Sequence, residues 1–218
     1  MEKVDVITYE QELLLSEFKS NSYLSSNFYF TGGTALSLYY LQHRESVDLD
    51  FFSDRSFDPQ SILQHITTWK QKLDLIVEYV RQEDTHIYNL TFPNKQMVKV
   101  DFAFYPYKQV KKNDEIDGLV IDSLVDIAIN KLLTIEQRAE VKDFVDLYFL
   151  LDEFSIWDLI SGVQAKFGIK FDPFIIGTDF LKVESFNFLP KMLKPLTLEE
   201  LKSFFVRKAK EIGKRSIE

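Results

Sequence analysis

The hydrophobic positions of this chain follow two periods in turn. Residues 8–19 place Leu13, Leu14 and Phe18 on one side of a helix. "NFYFTG" (27–32) then reads as a strand ending in glycines, "TALSLYYLQHR" (34–44) as a helix and "VDLDFF" (47–52) as a strand. Asp58 and Pro59 open a further helix through about Lys72, since proline suits a first helical turn. "LDLIVEYV" (73–80), "HIYNLTF" (86–92) and "MVKVDFAFY" (97–105) alternate and are rich in β-branched and aromatic residues, which predicts strands. Two helices follow, at 122–137 and 140–152. The remainder is mostly helical, and "TLEE" (Thr197 to Glu200) is a capping box that opens a last helix. Strands first and helices after predict an α+β fold. A mixed-sheet, β-rich N-terminal lobe covers residues 1–117, a helical lobe covers 118–218, and the polar stretch "KKNDEIDG" (111–118) joins them.

Composition narrows the class. Of 218 residues, 45% are hydrophobic and 15% aromatic, enough for a packed core, and 28% are charged, the ordinary level of a soluble globular chain. With no cysteine, disulfides and thiolate zinc sites are excluded. "MEKVDVITYEQELLLSEF" is acidic and interrupted, unlike a signal peptide, and no apolar run nears the roughly 20 residues of a membrane span. The expected location is the cytoplasm, with no membrane partner. A net charge of −8 argues against binding nucleic acid over the whole surface. Basic charge gathers in "KQVKK" (108–112) and near the C-terminus, at Lys202, Arg207, Lys208, Lys210, Lys214 and Arg215. Either stretch could meet RNA phosphates or be a solvated face.

The chemistry lies between Phe30 and Phe52. In a strand, residues i and i+2 point the same way, so Asp48 and Asp50 share one face and Leu49 and Phe51 the other. In "MVKVDFAFY", Val98, Val100, Phe102 and Phe104 form an apolar face, with Lys99, Asp101 and Ala103 opposite. If the two strands are neighbours, three carboxylates converge and repel one another. A divalent cation is the usual remedy, and an all-oxygen donor set suits Mg²⁺ or Mn²⁺. Gly32 and Gly33, between a strand and a helix, allow backbone N–H groups to approach an anion closely. A phosphate beside metal ions is the geometry of phosphoryl or nucleotidyl transfer.

"GGTALSLYYLQHRESVDLDFF" resembles the hG[GS]–helix–DhD signature of the polymerase-β-like nucleotidyltransferase superfamily and, more narrowly, the AbiEii/AbiGii toxin family. "INKLLTIEQRAEVKDFVDLYFLL" (129–151) is similar to that family's Lys…Arg…(Lys/Arg)-Asp-x-x-Asp-Leu helical motif. The two blocks and the Asp101 strand span roughly 30–151; residues 153–218 match only in helical character. A serine commonly follows the first glycine in the superfamily. Here Gly33 and then Thr34 do, which leaves open whether a hydroxyl contacts phosphate.

On helix 122–137, Lys131 falls inside the apolar stripe, so it must snorkel outward or find an anion. Arg138 ends that helix, where a cation suits the dipole. Asp143 and Asp146 share a face at i, i+3. The resemblance implies that Lys131 contacts phosphate and that Asp143 faces the nucleotide cleft, which the helical lobe completes. Asp146 is then the partner of a basic residue such as Arg44 or Arg138. It further implies that Asp48, Asp50 and Asp101 hold Mg²⁺ or Mn²⁺, that Gly32, Gly33, Thr34, Lys131 and Arg138 bind an NTP, and that Asp48, Asp50, Asp101, Lys131 and Asp143 carry catalysis. The implied reaction moves an NMP to a hydroxyl of a tRNA 3′ end or a protein. The implied role is that of a toxin with a cognate antitoxin, in abortive infection and phage defence. Transfer of a γ-phosphate in the same cleft and a non-catalytic nucleotide- or partner-binding module are the alternatives. His43, His65 and His86 lack metal-ligand spacing and read as exposed or hydrogen-bonded histidines.

Overall fold

The computed structural model of the chain describes residues 6–215. The first five residues, on which part of the N-terminal reading rests, the last three, and the side chain of Arg215 lie outside the described residues. The fold is α+β, with a mixed seven-stranded sheet and helices. The chain divides into two compact units. One holds the residues through Tyr39, Ser46–Lys108 and Lys112–Ser123; the other holds Tyr40–Glu45, Gln109–Lys111 and the chain from Leu124 onward.

The first unit opens with α1 (Tyr9–Ser20), whose N-terminal N–H groups are met by a reciprocal box of Thr8 and Gln11. A short α2 (Ser22–Asn27), capped by the Asn21 side chain, was not expected from the pattern. The strands are β1 (Tyr29–Thr31), β2 (Asp48–Ser53), β3 (Ile76–Gln82), β4 (Thr85–Thr91), β5 (Met97–Phe104), β6 (Asp114–Ile116) and β7 (Leu119–Ile121). They lie in the order β3-β4-β5-β2-β1-β7-β6. β2 runs parallel to β5 and β1 parallel to β7, while the other neighbours are antiparallel. Helix α4 (Pro59–Leu73) starts on the Asp58 cap, as its sequence predicts. The apolar sides of β2 and β5 bury Leu49, Phe51, Val100 and Phe102. Phe18 of α1 stacks on Phe51 with ring centroids 3.9 Å apart, and Phe28 meets Phe102 edge-on at 5.1 Å. Each such buried ring contributes roughly 1.5–3 kcal/mol, so this aromatic layer fixes which face of β2 and β5 turns away from the core.

Two expectations need correction. The polar stretch 111–118 is not a joint alone: it contains β6 and the turn of a hairpin. Asp117 (φ 52°) and Gly118 (φ 76°) supply the two left-handed residues that a two-residue hairpin turn needs. The helix expected over 34–44 starts earlier and stops earlier. It is a four-residue α3 (Gly32–Ala35) that widens into a π-helical stretch (Leu36–Leu41), and Gln42 then turns left-handed at φ 48°. The backbone of residues 43–45 finds its hydrogen bonds elsewhere. The His43 carbonyl accepts from Leu193 and Lys194, and the Glu45 N–H donates to the Lys191 carbonyl.

The second unit is a helical assembly of α5 (Leu124–Gln137), α6 (Val141–Leu150), α7 (Ile156–Phe167), α8 (Pro173–Phe180) and α9 (Leu198–Arg215). α9 opens on the expected box: Thr197 N–H donates to the Glu200 carboxylate and Glu200 N–H to the Thr197 hydroxyl. Phe144, Phe180 and Phe205 are fully buried, and Phe205 meets the other two edge-to-face at 5.0 Å each. Asp126 is buried with Lys166 at 2.7 Å and also accepts the N–H groups of Val110 and Lys111, which ties segment 109–111 to this unit.

Candidate active site

In the first unit, the parallel register of β2 and β5 sets Asp50 beside Asp101 and Asp48 beside Lys99. Since side chains alternate, Asp48, Asp50, Lys99 and Asp101 share the sheet face opposite the phenylalanine core. The two strands are therefore neighbours, the condition on which the expected convergence of three carboxylates depended. A fourth group was not assigned a role by the sequence. The Lys99 ammonium lies 2.7 Å from Asp101 Oδ2 and 3.9 Å from Asp48 Oδ2. Burial opposes its charge, but Asp101, Asp48 and Asp50 outweigh burial and hold its pKa above the ordinary lysine value. A lysine two residues before an acid on a strand, and on its face, was the signal available for it.

The glycine turn meets this face. Gly32 has φ 75°, and a Cβ added there would stand 2.1 Å from Asp50 Oδ2. Only glycine fits both the backbone conformation and the contact with the carboxylate. Thr31 precedes α3 without capping it by its side chain. Its hydroxyl donates instead to the buried Asp122 at 2.8 Å, and Asp122 N–H donates to the Phe30 carbonyl. Asp122 thus holds the end of β1. The pattern had assigned Asp122 to the helix that actually begins at Leu124. Thr34 is fully buried and its hydroxyl donates to the Asp48 carbonyl. A hydroxyl has one hydrogen to give, so Thr34 ties α3 to β2 rather than reaching toward an anion.

Lys131, Arg138 and Asp143 belong to the second unit and form a charge chain within it. Asp146, buried at the centre of α6, accepts Arg44 Nε at 2.6 Å and Nη2 at 2.8 Å, His43 Nε2 at 2.7 Å and Lys131 Nζ at 2.7 Å. Lys131 also reaches Asp143 at 3.0 Å, and Asp143 accepts Arg138 Nε at 2.8 Å. Arg44 is thus the basic partner of Asp146, and Arg138 goes to Asp143. Burial opposes the charge on Asp146, but Lys131, Arg44 and His43 hold its carboxyl well below the usual carboxylate range. Burial likewise opposes the charge on Lys131, but Asp146 and Asp143 keep its pKa raised. For His43, burial outweighs the pull of Asp146 and lowers the pKa. The imidazole is then neutral, with its hydrogen on Nε2, because a carboxylate can only accept. His65 bonds Asn21 and His86 bonds Tyr79, so each histidine has a partner.

A glycine turn thus packs on the second aspartate of a D-x-D strand, with a third aspartate in register beside it. Comparison with known proteins decides the family. The family model described as "Nucleotidyl transferase AbiEii toxin, Type IV TA system" matches residues 13–215. The chain belongs to the AbiEii nucleotidyltransferase toxin family. The match runs well past residue 151, where the resemblance in the motifs stopped. An uncharacterised protein of Aquifex aeolicus (strain VF5) is 32% identical over 198 residues, covering 86% of this chain and 89% of that protein. JHP933 of Helicobacter pylori has the same fold, with a TM-score of 0.59 at 19% identity over 96% of this chain and 94% of that one. MenT4, a nucleotidyltransferase toxin of Mycobacterium tuberculosis H37Rv, has a TM-score of 0.52 at 13% identity over 86% and 75%. AbiEii membership makes this protein a nucleotidyltransferase, of a family whose members take an NTP and are toxins of toxin–antitoxin systems. No described helix is long and apolar enough to cross a membrane.

Among the described residues, no group of three or more His, Asp or Glu side chains is drawn together tightly enough to hold a metal ion. The donor chemistry of the β2–β5 face nevertheless fits a hard divalent cation: its ligands would be carboxylate oxygens on adjacent strands. A cationic ammonium already lies among them.

Proposed function

We propose that this chain is a metal-dependent nucleotidyltransferase that moves an NMP from an NTP to a hydroxyl acceptor, a tRNA 3′ end or a protein side chain. In this reading it acts as the toxin of a toxin–antitoxin pair in phage defence. The observation that carries the catalytic part is the β2–β5 register, which sets Asp50 beside Asp101 with Gly32 packed on Asp50. Asp48, Asp50 and Asp101 would hold Mg²⁺ or Mn²⁺, which when bound neutralises charge on the reacting phosphates. The Gly32-Gly33 backbone N–H groups bind triphosphate oxygens, and Thr34 keeps that turn against β2. The acceptor oxygen forms a bond to the α-phosphorus while the bond to the bridging oxygen of the β-phosphate breaks. Pyrophosphate leaves with that electron pair, and Asp101 takes the acceptor's proton. The family motif gives Lys131 and Arg138 the task of offsetting triphosphate charge. Both cations are paired with Asp143, and Lys131 also with Asp146, so this task rests on the motif alone.

The test uses two labels. The protein is incubated with Mg²⁺, total tRNA and each NTP, labelled once at the α- and once at the γ-phosphate, beside an Asp48→Ala/Asp50→Ala control. Transfer of the α-label only, lost in the folded control, is expected. Transfer of the γ-label only means kinase-like chemistry and overturns the reading, as does full transfer by the control.

A further inference from the structure

We propose that Lys99 is a tethered counter-ion that stands in for the divalent cation among Asp48, Asp50 and Asp101, and withdraws when that cation binds. The inference rests on the reading of this face as a metal site. Lys99 bridges carboxylates from two strands, touching Asp101 at 2.7 Å and approaching Asp48 at 3.9 Å. The bridge is dictated by register: Asp48 is its neighbour across β2–β5, and Asp101 follows it by two residues on its own strand. Three carboxylates on one sheet face repel, so the metal-free protein needs a positive charge there, and this lysine supplies one.

The ammonium and a dication cannot share the site. Metal ligation takes carboxylate lone pairs that Lys99 now engages, and two cations roughly 4 Å apart repel by several kcal/mol even at an effective dielectric constant of about 20. Lys99 is built to leave. Its side chain is 32% exposed, on a flexible stem with three rotatable donors. Lys131, at 10% exposure, is held by two buried aspartates. Lys99 is thus a positioning residue. It keeps the carboxylates on one face before loading and weakens the site for free metal, which favours delivery of the metal together with a polyphosphate that can receive the released ammonium.

The experiment measures Mn²⁺ binding without nucleotide, by the electron paramagnetic resonance signal of free Mn²⁺, and thermal melting with and without Mn²⁺. Wild type is compared with Lys99→Met, Lys99→Arg and Asp48→Asn. Lys99→Met is expected to bind Mn²⁺ about tenfold or more tighter than wild type, to melt lower without metal, and to recover the difference with Mn²⁺. Lys99→Arg keeps the charge and is expected to bind no more tightly than wild type. Equal or weaker binding by Lys99→Met, or tighter binding by Lys99→Arg, overturns the proposal while the metal site stands, provided that Asp48→Asn weakens binding. If Asp48→Asn binds Mn²⁺ as wild type does, the metal reading of the face itself fails, and the role of Lys99 with it.

Discussion

Replacing Asp146 by asparagine removes one charge and almost no volume from the centre of the helical unit. Four hydrogen bonds converge on this carboxylate: two from Arg44, one from His43 and one from Lys131. Asp146 is fully buried, and Arg44 and Lys131 are nearly so. Breaking one partner out of a buried ion pair costs roughly 3–5 kcal/mol, because the opposite charge stays behind uncompensated. The substituted amide keeps one acceptor oxygen, and Lys131 keeps Asp143, so the low end, about 3 kcal/mol, is expected. For a chain of this size that corresponds to a fall in Tm of about 6–12 °C. Trp69 lies in the first unit and Trp157 in the second. In a Trp69→Phe background, fluorescence during urea unfolding therefore reports the helical unit. The pKa of Asp146 is lowered in the folded state. Its contribution is thus complete above the unfolded carboxylate value of about 3.9 and is lost as the pH falls below that toward the folded value. Asp146's own share of the gap between wild type and Asp146→Asn should be complete at neutral pH and close only in acid, while loss of its pull on His43 lowers that histidine's pKa further. A loss under about 1 kcal/mol at neutral pH would refute the claim that this network holds the unit together.

Gly32→Ala should abolish nucleotidyl transfer and cost about 1–2 kcal/mol, since alanine is strained at this φ and its methyl would collide with the Asp50 carboxylate; wild-type turnover by this variant would count against the turn as part of the site. All three histidines have pKa values lowered, first by burial. The folded protein therefore binds fewer protons than the unfolded chain, and stability should fall as the pH drops through about 6.5. Urea unfolding at about pH 7.5 and 5.5 checks this, and higher stability at the lower pH would contradict it.

Much of the candidate site was legible because its parts are local. Alternation in "VDLDFF" put Asp48 and Asp50 on one face, and the Gly32-Gly33 turn needs only neighbouring residues. The Asp117-Gly118 hairpin was equally legible, a two-residue turn of the favoured type, yet its polarity led to its being read as a linker. The helix over 34–44 was overextended because Gln42, His43 and Arg44 include no glycine or proline to mark its end, while the hydrogen-bond partners of residues 43–45 lie far off at 191–194.

By itself, the sequence determined the period of most of the longer elements, the caps at Asp58 and Thr197, the α+β class and the motif of the family, since all of these depend on contacts within a few residues. Only the tertiary structure decided which charges meet. β2 and β5 are neighbours although β3 and β4 lie between them in sequence, and that pairing brings Lys99 to Asp48. Arg44 and Asp146 are 102 residues apart, and Thr31 and Asp122 are 91 apart. A carboxylate attracts any cation, so its partner is chosen by the register and packing of apolar residues elsewhere. Here that choice falls to Phe51, Phe102 and Phe144, whose burial fixes the faces on which the charges are left to find one another.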